Sequence, residues 1–335
     1  MKHFVVVVVL IAVVTAGIAF LLGPENILPT LASEEGAYVD QLFSMYAFVI
    51  AFFFALIVVI MLYSTVVFRR KKGDDEPGAN VHGSSALEIV WTIIPLGIVL
   101  FFAGVGAVYL NATLEPEADE MVVEVTAAQW SWRFDYPEYG VSSSELILPK
   151  DRQVLFKFVS LDVIHSFWVP EFRLKQDAVP GITTSLRLKP TLTGSYTVRC
   201  AELCGLDHDY MLAPVTVLEP ADFDSWVAAQ TVLDTLLPEE RGKQLAELNG
   251  CVGCHTADGN RSVGPTWLGL FGKEELLADG TTILVDEAYL LKSILDPNTQ
   301  IVEGFLADLM PKVYENTFSQ AEIDDLIAYI RSLGN

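Results

Sequence analysis

The sequence predicts a multidomain membrane chain: transmembrane helices, then a Greek-key β-domain, then a small all-α domain. Three observations carry that prediction. The first third contains three long stretches without a charge. The middle alternates apolar and polar residues in short runs punctuated by Gly and Pro, and the last part follows a helical period. Composition agrees: of 335 residues, 52% are hydrophobic and only 19% charged, where a soluble domain holds roughly a quarter charged residues. The net charge of −22 excludes a protein that grips nucleic-acid phosphates through a basic face. It suits cationic partners instead. The acidity lies almost wholly beyond residue 110, with 35 acids and 16 bases there against 8 and 5 before it.

The uncharged stretches are Phe4–Leu22, Gln41–Phe68 and Ile89–Leu114, each long enough to cross a bilayer, which takes about 20 apolar residues. Arg69-Arg70-Lys71-Lys72, the dense basic cluster, separates the last two and marks a cytoplasmic loop. The second span then runs inward, the third returns, and everything after about residue 115 lies on the outer face of a multi-pass protein in membrane lipid. The first stretch has two readings, a retained helix or a cleaved signal with Thr30-Leu31-Ala32 as its small-residue site. Glu88, at the cytoplasmic mouth of the third span, is a functional candidate as an intramembrane acid. It is also what the macrodipole favours at a helix start.

From Met121 to Leu218 short alternating runs, such as Gln153-Val-Leu-Phe-Lys-Phe-Val and Ala213-Pro-Val-Thr-Val-Leu, predict a β-sandwich or Greek-key barrel. Helical patterning continues at Glu239–Leu248, Glu287–Leu295 and Gln320–Leu333, with Ser319 and Glu322 marking a helix start. The expected boundaries are an N-terminal hydrophobic segment and linker over 1–40, a transmembrane hairpin over 41–114, the β-domain over 115–220, a linker over 221–238 and the helical domain over 239–335.

All four cysteines fall in two close pairs with metal-binding neighbours. The run Cys200-Ala-Glu-Leu-Cys204-Gly-Leu-Asp-His208-Asp-Tyr-Met211 gathers two thiols, an imidazole and a thioether, and upstream His165 offers a second imidazole. Thiolate and thioether are soft ligands that favour copper. A one-copper electron-transfer site needs a single Cys; the second lets two thiolates bridge two coppers, leaving one His for each. Zinc would use two Cys and two His but leaves Met211 unexplained. A Cys200–Cys204 disulfide leaves both histidines coincidental. The second pair, Cys251-Val-Gly-Cys254-His255, is the c-type haem attachment motif. Met310 lies far enough downstream to reach the opposite haem face, and a Met/His pair raises the potential. Its alternative is a core methionine. Trp267 reads equally as haem packing or core.

At these residues the chain resembles subunit II of the haem–copper oxidases, the cytochrome c oxidase family. The resemblance implies a cupredoxin-like barrel whose Cys200 and Cys204 bridge the binuclear CuA centre, with His165, His208, Met211 and the Glu202 carbonyl completing it. It implies that the Glu202 carboxylate reaches a magnesium ion shared with subunit I. Gln129-Trp130-Ser-Trp132-Arg-Phe134-Asp-Tyr136 resembles the family's aromatic region, which puts Trp130 where electrons come in from outside; strand packing is the alternative. Lys175–Gly181 resembles the loop facing subunit I, and Glu88-Ile-Val-Trp91 the helix whose glutamate is associated with a proton inlet. Gly264-Pro265 resembles the class I cytochrome c loop whose Pro carbonyl holds the haem histidine. Arg199 and Ile182 depart from the family's Gln and Arg, leaving the ligands untouched.

The resemblance and the two metal motifs together imply a function. The chain would be subunit II of a respiratory-chain terminal oxidase in the bacterial cytoplasmic membrane, with its CuA and haem c domains in the periplasm. It would take electrons from a cytochrome c, another small redox protein or a donor respiratory complex, pass them through haem c to copper, and work with subunits I and III. There oxygen becomes water, with proton pumping. A free-standing electron shuttle and a copper-delivery protein are the other classes. The subunit-I-like contacts argue against the first and the covalent haem against the second.

Overall fold

The computed structural model describes residues 1–70, 72–73, 78, 80, 82–230, 236–312, 314 and 318–334. Lys71 of the basic cluster and residues 231–235 of the expected linker lie outside them. The chain divides into two units, Met1–Glu115 and Pro116–Asn335.

The first unit is helical: α1 (Lys2–Leu21), the single turn α2 (Pro24–Ile27), α3 (Glu34–Val67) and α4 (Ser85–Thr113). By length and composition α1, α3 and α4 can each cross a membrane. Ser33 starts α3 by accepting a hydrogen bond from Gly36 N at 3.0 Å. Small side chains at Ala47, Ala51, Ala55 and Val59 recur every four residues and form a buried stripe on α3. Ala55 and Val59 pack with Ile11 of α1, where small residues let two backbones approach in lipid. Tyr46 stacks on Phe102 of α4 with ring centroids 4.4 Å apart. Large apolar residues such as Phe54, Trp91 and Leu100 face outward, the arrangement a hydrocarbon surround rewards. Glu88 sits in the first turn of α4, beside the capping Ser84. That is the place the macrodipole favours an acid.

The second unit opens with two five-stranded sheets. Its strands are β1 (Met121–Ala128), β2 (Ser131–Tyr136), β3 (Val141–Ser143), β4 (Leu146–Pro149), β5 (Val154–Ser160), β6 (His165–Trp168), β7 (Lys175–Ala178), β8 (Thr184–Leu188), β9 (Gly194–Cys200) and β10 (Leu212–Leu218). One sheet runs β3-β2-β1-β5-β8 and the other β4-β10-β9-β6-β7. The parallel pairings of β1 with β5 and of β10 with β4 come from crossovers, as a Greek-key sandwich requires. Alternation places Met121, Val123, Val125 and Ala127 inward, with Trp132, Phe134, Phe156, Phe158 and Phe167 filling the core. Tyr136 is fully buried, and its hydroxyl both receives from Ile147 N at 2.8 Å and donates to Ile147 O at 3.0 Å. The expected linker at 221–238 starts instead as α5 (Pro220–Gln230), because Phe223 and Trp226 pack on Tyr136 and bury an apolar face.

The C-terminal part is helical, with α6 (Pro238–Leu248), α7 (Cys251–Cys254), α8 (Glu287–Leu295) and α9 (Gln320–Ser332). A short hairpin, β11 (Glu274–Leu276) with β12 (Thr282–Leu284), adds strand to what the sequence reads as all-α. The three-residue strands carry no alternation long enough to be legible. Ser319 and Glu322 form the capping box that starts α9. α6 and α9 cross at Gly242, where a Cβ would lie 1.9 Å from the Asp325 carbonyl oxygen. Arg241 clasps the Asp325 carboxylate through Nε at 2.8 Å and Nη2 at 2.6 Å.

Candidate metal centres

The end of the sandwich bearing the β9–β10 loop gathers the first donor set. His165 opens β6 and Cys200 closes β9, so sheet pairing brings them together from 35 residues apart. The loop then returns Cys204, His208 and Met211. The Cys200 and Cys204 sulfurs stand 3.7 Å apart. On one side Cys200 Sγ lies 4.0 Å from His165 Nδ1 and 3.2 Å from the Glu202 carbonyl oxygen. On the other, Cys204 Sγ lies 3.4 Å from His208 Nδ1 and 3.7 Å from Met211 Sδ. The set therefore has two halves, each with one imidazole and one weaker donor, joined by two sulfurs. The donor atoms of His165, Cys200 and Cys204 all fall within 4.8 Å of one another.

Electrostatics suit a cation there. Burial raises the Cys200 thiol, but hydrogen bonds from His165 and backbone groups outweigh it and bring it to about 6. Cys204 is pushed up to about 12, first by burial and then by the Cys200 charge. One thiolate forms readily, and the second needs a positive charge beside it. A soft, thiolate-rich donor set fits copper better than a hard ion.

Hydrogen bonds from behind hold the cradle in place. His165 turns Nε2 to the Asp162 carboxylate at 2.8 Å, which leaves Nδ1 for the sulfurs. Burial disfavours the charged His165 ring, yet Asp162 outweighs it and holds the ring's pKa above its ordinary value. Burial likewise raises Asp162, but His165 and the Gln129 and Val163 amides hold it below the usual carboxylate range. Trp132 Nε1 donates to the Met211 carbonyl at 3.4 Å. Gln129 Nε2 donates to the Cys204 carbonyl at 2.6 Å. The sequence alone assigns no role to Asp162, Trp132 or Gln129. The Asp-x-x-His spacing at Asp162–His165 is the one local signal that could have pointed to such a carboxylate.

Cys251, Cys254, His255 and Met310 line one cavity with Trp267 and Tyr314. His255 Nδ1 donates to the Pro265 carbonyl at 2.8 Å, leaving Nε2 for a metal. Trp267 stacks on the imidazole, with centroids 5.0 Å apart and planes at 11°. Gly264 is required, since a Cβ there would lie 2.7 Å from the His255 ring. Burial pulls the His255 pKa down, despite the Pro265 bond, and keeps the ring neutral for ligation. Burial also pushes Cys251 up to about 12 and, with Asp207, Cys254 to about 11. A mostly apolar cavity lined by two thiols and by imidazole and thioether donors fits a covalently held haem.

Residues 25–107 match the transmembrane domain of cytochrome c oxidase subunit II, 141–218 its periplasmic domain, and 239–334 cytochrome c. The cytochrome c oxidase subunit 2 of Alkalihalophilus pseudofirmus is 33% identical over 272 residues, covering 78% of this chain and 77% of that one. The chain belongs to the cytochrome c oxidase subunit II family. The subunit 2 of Thermostichus vulcanus is 32% identical over 292 residues, covering 70% of this chain and 89% of that one. The crystal structure of the periplasmic domain of subunit II from Bradyrhizobium japonicum is 32% identical, with a TM-score of 0.33, and covers 35% of this chain and 96% of that one. The chain is thus an electron-transfer subunit of a haem–copper oxidase complex, a membrane protein with a periplasmic domain and a fused cytochrome c domain whose haem-binding cysteines are Cys251 and Cys254. Its His165, Cys200, Cys204 and Met211 form the copper site.

The remaining candidates lie apart from the cradle or at its edge. Trp130 is half-buried in the β1–β2 turn, packed against Gly205, where a Cβ would meet its ring at 3.2 Å. Its indole N–H is buried and finds no hydrogen-bond partner among the described residues. Glu202 is exposed, as are Leu203, Leu206 and Tyr210 on the same loop. Lys175–Ala178 of the expected subunit-I loop is a strand rather than a loop, paired with β6, and Asp177 receives the Ser166 hydroxyl at 2.7 Å.

Proposed function

We propose that the chain is the electron inlet of a proton-pumping terminal oxidase. It accepts electrons from an outer-face donor at haem c, hands them to a binuclear CuA centre, and delivers them to subunit I for reduction of oxygen to water. Bound copper and haem would supply reversible one-electron levels; the chain's own residues do the rest. Cys200 and Cys204 would bridge the coppers, His165 and His208 would take one each, and Met211 and the Glu202 carbonyl would complete the halves. His255 and Met310 would hold the haem iron, with Pro265 fixing the ring. The observation that carries this reading is the two-sided sulfur cradle, whose halves each pair an imidazole with a weaker donor.

Several finer roles rest on the family resemblance. The exposed Glu202 carboxylate is free to meet a magnesium ion shared with subunit I, and Leu203, Leu206 and Tyr210 give that partner an apolar face. Trp130 would receive electrons coming directly to copper. Glu88 would serve a proton inlet; Glu88→Gln should then slow proton-coupled turnover, while normal turnover leaves it a helix-start acid. The acidic outer unit would steer a cationic donor, less so at high salt.

The test is metal and haem analysis of the purified full chain with copper EPR. A mixed-valence two-copper signal with one covalent haem is expected. A one-copper four-line signal, or bound zinc, would overturn the copper assignment. Met310→Ala should lower the haem potential, and an unchanged optical and redox spectrum would remove it as ligand.

A further inference from the structure

The copper cradle and the haem cavity lie within one compact unit, and one residue belongs to both. Gln129, in the β1–β2 turn, forms part of the wall of the cavity that holds Cys251, Cys254, His255 and Met310. Trp130 is not part of that wall. Neighbouring contacts press the same two surfaces together. A Cβ on Gly250, just before the haem cysteines, would lie 2.2 Å from Ser131 Oγ, so only glycine, at φ +71°, fits there. The Tyr314 phenol in the cavity wall is pushed up by burial, then by Cys251 and Cys254, and also by Asp162 from the copper side.

From this wall position Gln129 makes two hydrogen bonds, one to each half of the cradle. Its side-chain amide donates to the Cys204 carbonyl at 2.6 Å, and that carbonyl is joined through Cα and Cβ to the Cys204 sulfur. Its backbone N–H donates to Asp162 at 2.7 Å, and Asp162 receives from His165 at 2.8 Å. Gly205, at φ +128°, lets the amide in; a Cβ there would sit 2.7 Å from Gln129 Nε2.

We propose that Gln129 is the bridge that couples the haem cavity to the copper cradle, so that the fused haem and an outside donor reach copper by different residues. The proposal rests on the electron-inlet reading. Electronic coupling falls off more slowly along covalent and hydrogen bonds than across an unbonded gap, and Gln129 supplies a bonded route on the cavity side. With haem and copper bound, the step it serves would carry one electron from ferrous haem, left ferric, to the oxidised copper pair, reduced by one electron. No proton moves, no covalent bond changes, and Gln129 is neither oxidised nor reduced.

The test uses the full chain carrying copper and haem. A ruthenium photosensitiser reduces the haem, and transfer to copper is followed optically in Gln129→Leu, which removes the side-chain amide bonded to the Cys204 carbonyl and keeps the backbone N–H that donates to Asp162. Gln129→Glu is the second variant, keeping the shape while its ionised carboxylate has no N–H to give. Transfer should slow several-fold in both, by more than the change in driving force read from the measured midpoint potentials accounts for, with unchanged hydrogen exchange over residues 250–255. An independent readout is infrared difference spectroscopy on chain with isotope-labelled glutamine. A side-chain amide band should respond to reduction of each centre and vanish in Gln129→Leu. An unchanged rate overturns the bridge, as does the absence of that band. Slowing wholly accounted for by the shift in midpoint potentials, or accompanied by faster exchange, overturns it too, since driving force or loosened contact then explains the loss. If the unaltered chain shows no haem-to-copper transfer, the electron-inlet reading itself falls; normal transfer that both variants leave untouched removes only the bridge.

Discussion

Replacing Gly242 by Ala should unseat the haem domain without touching a ligand. The added Cβ would lie 1.9 Å from the Asp325 carbonyl oxygen and 2.9 Å from Tyr329 Cβ. Both obstacles belong to α9 and neither is the end of a flexible side chain. An ordinary carbon–oxygen contact is about 3.3 Å or more, so the helices must part by roughly 1.4 Å at their crossing. The crossing is dry: Ala246 is fully buried, and Leu326 and Ile330 are nearly so. The bidentate Arg241–Asp325 pair spans the same joint and would stretch with it. Overpacking typically costs about 1–3 kcal/mol, and the rigid backbone obstacle places this case at the upper end. Ala gains back roughly 1 kcal/mol of helix propensity over Gly. A net loss near 2 kcal/mol lowers the melting temperature of a domain this size by about 8–16 °C. Thermal loss of the haem absorption band in the full chain reads this out. A melting point unchanged or raised would refute the argument, because propensity would then have outweighed the clash.

The metal sites yield three more expected outcomes. Asp162→Asn should weaken copper binding about 10–100-fold, as loss of a ligand's outer partner typically does; competition titration with EPR detection measures it, and equal affinity would remove Asp162 from the site. Gly264→Ala should press on the His255 ring and weaken its bond to Pro265. With a less basic ligand the haem potential should rise, which redox titration would register; a lower or unmoved potential would count against the bond's role. In the copper-free chain Cys200, lowered to about 6, is mostly thiolate at neutral pH, while Cys204, at about 12, stays a thiol. Alkylation should therefore mark Cys200 first, at a rate that climbs as pH rises through about 6 and then levels. Equal labelling of both cysteines at pH 7 would contradict that order.

Legibility in the sequence tracks how local each constraint is. The apolar spans and alternating strands are periodic along the chain, so a transmembrane hairpin and a β-sandwich or barrel could be read directly, while the first apolar stretch read as either a retained helix or a signal. The haem motif and the Cys200–Met211 run were legible because a metal or a covalent link fixes donor spacing within a few residues. Even the distant His165 could be read, since the half-filled run called for a second imidazole. The helix α5 within the expected linker was not legible for the opposite reason: it has weak helical periodicity, and Phe223 and Trp226 find their partner in Tyr136, far back in the chain. Gly242 is a sharper case. A glycine inside an amphipathic helix is a hint of close approach, but what approaches, the Asp325 carbonyl, is known only once α6 and α9 cross.

The same distinction separates Trp130 from Gln129. Adjacent in sequence, they sit in one motif where the large aromatic draws attention as the redox-active side chain. Folding packs both against Gly205, but of the two it is Gln129 that donates to the Cys204 carbonyl and the Asp162 carboxylate and lines the haem cavity. None of those three partners is encoded near position 129. A polar residue bonded beside one centre and lining the cavity of the other becomes visible as a candidate only through the contacts that the tertiary structure closes around it. For that reason the residues between two metal sites, more than the ligands themselves, are where structure adds to sequence.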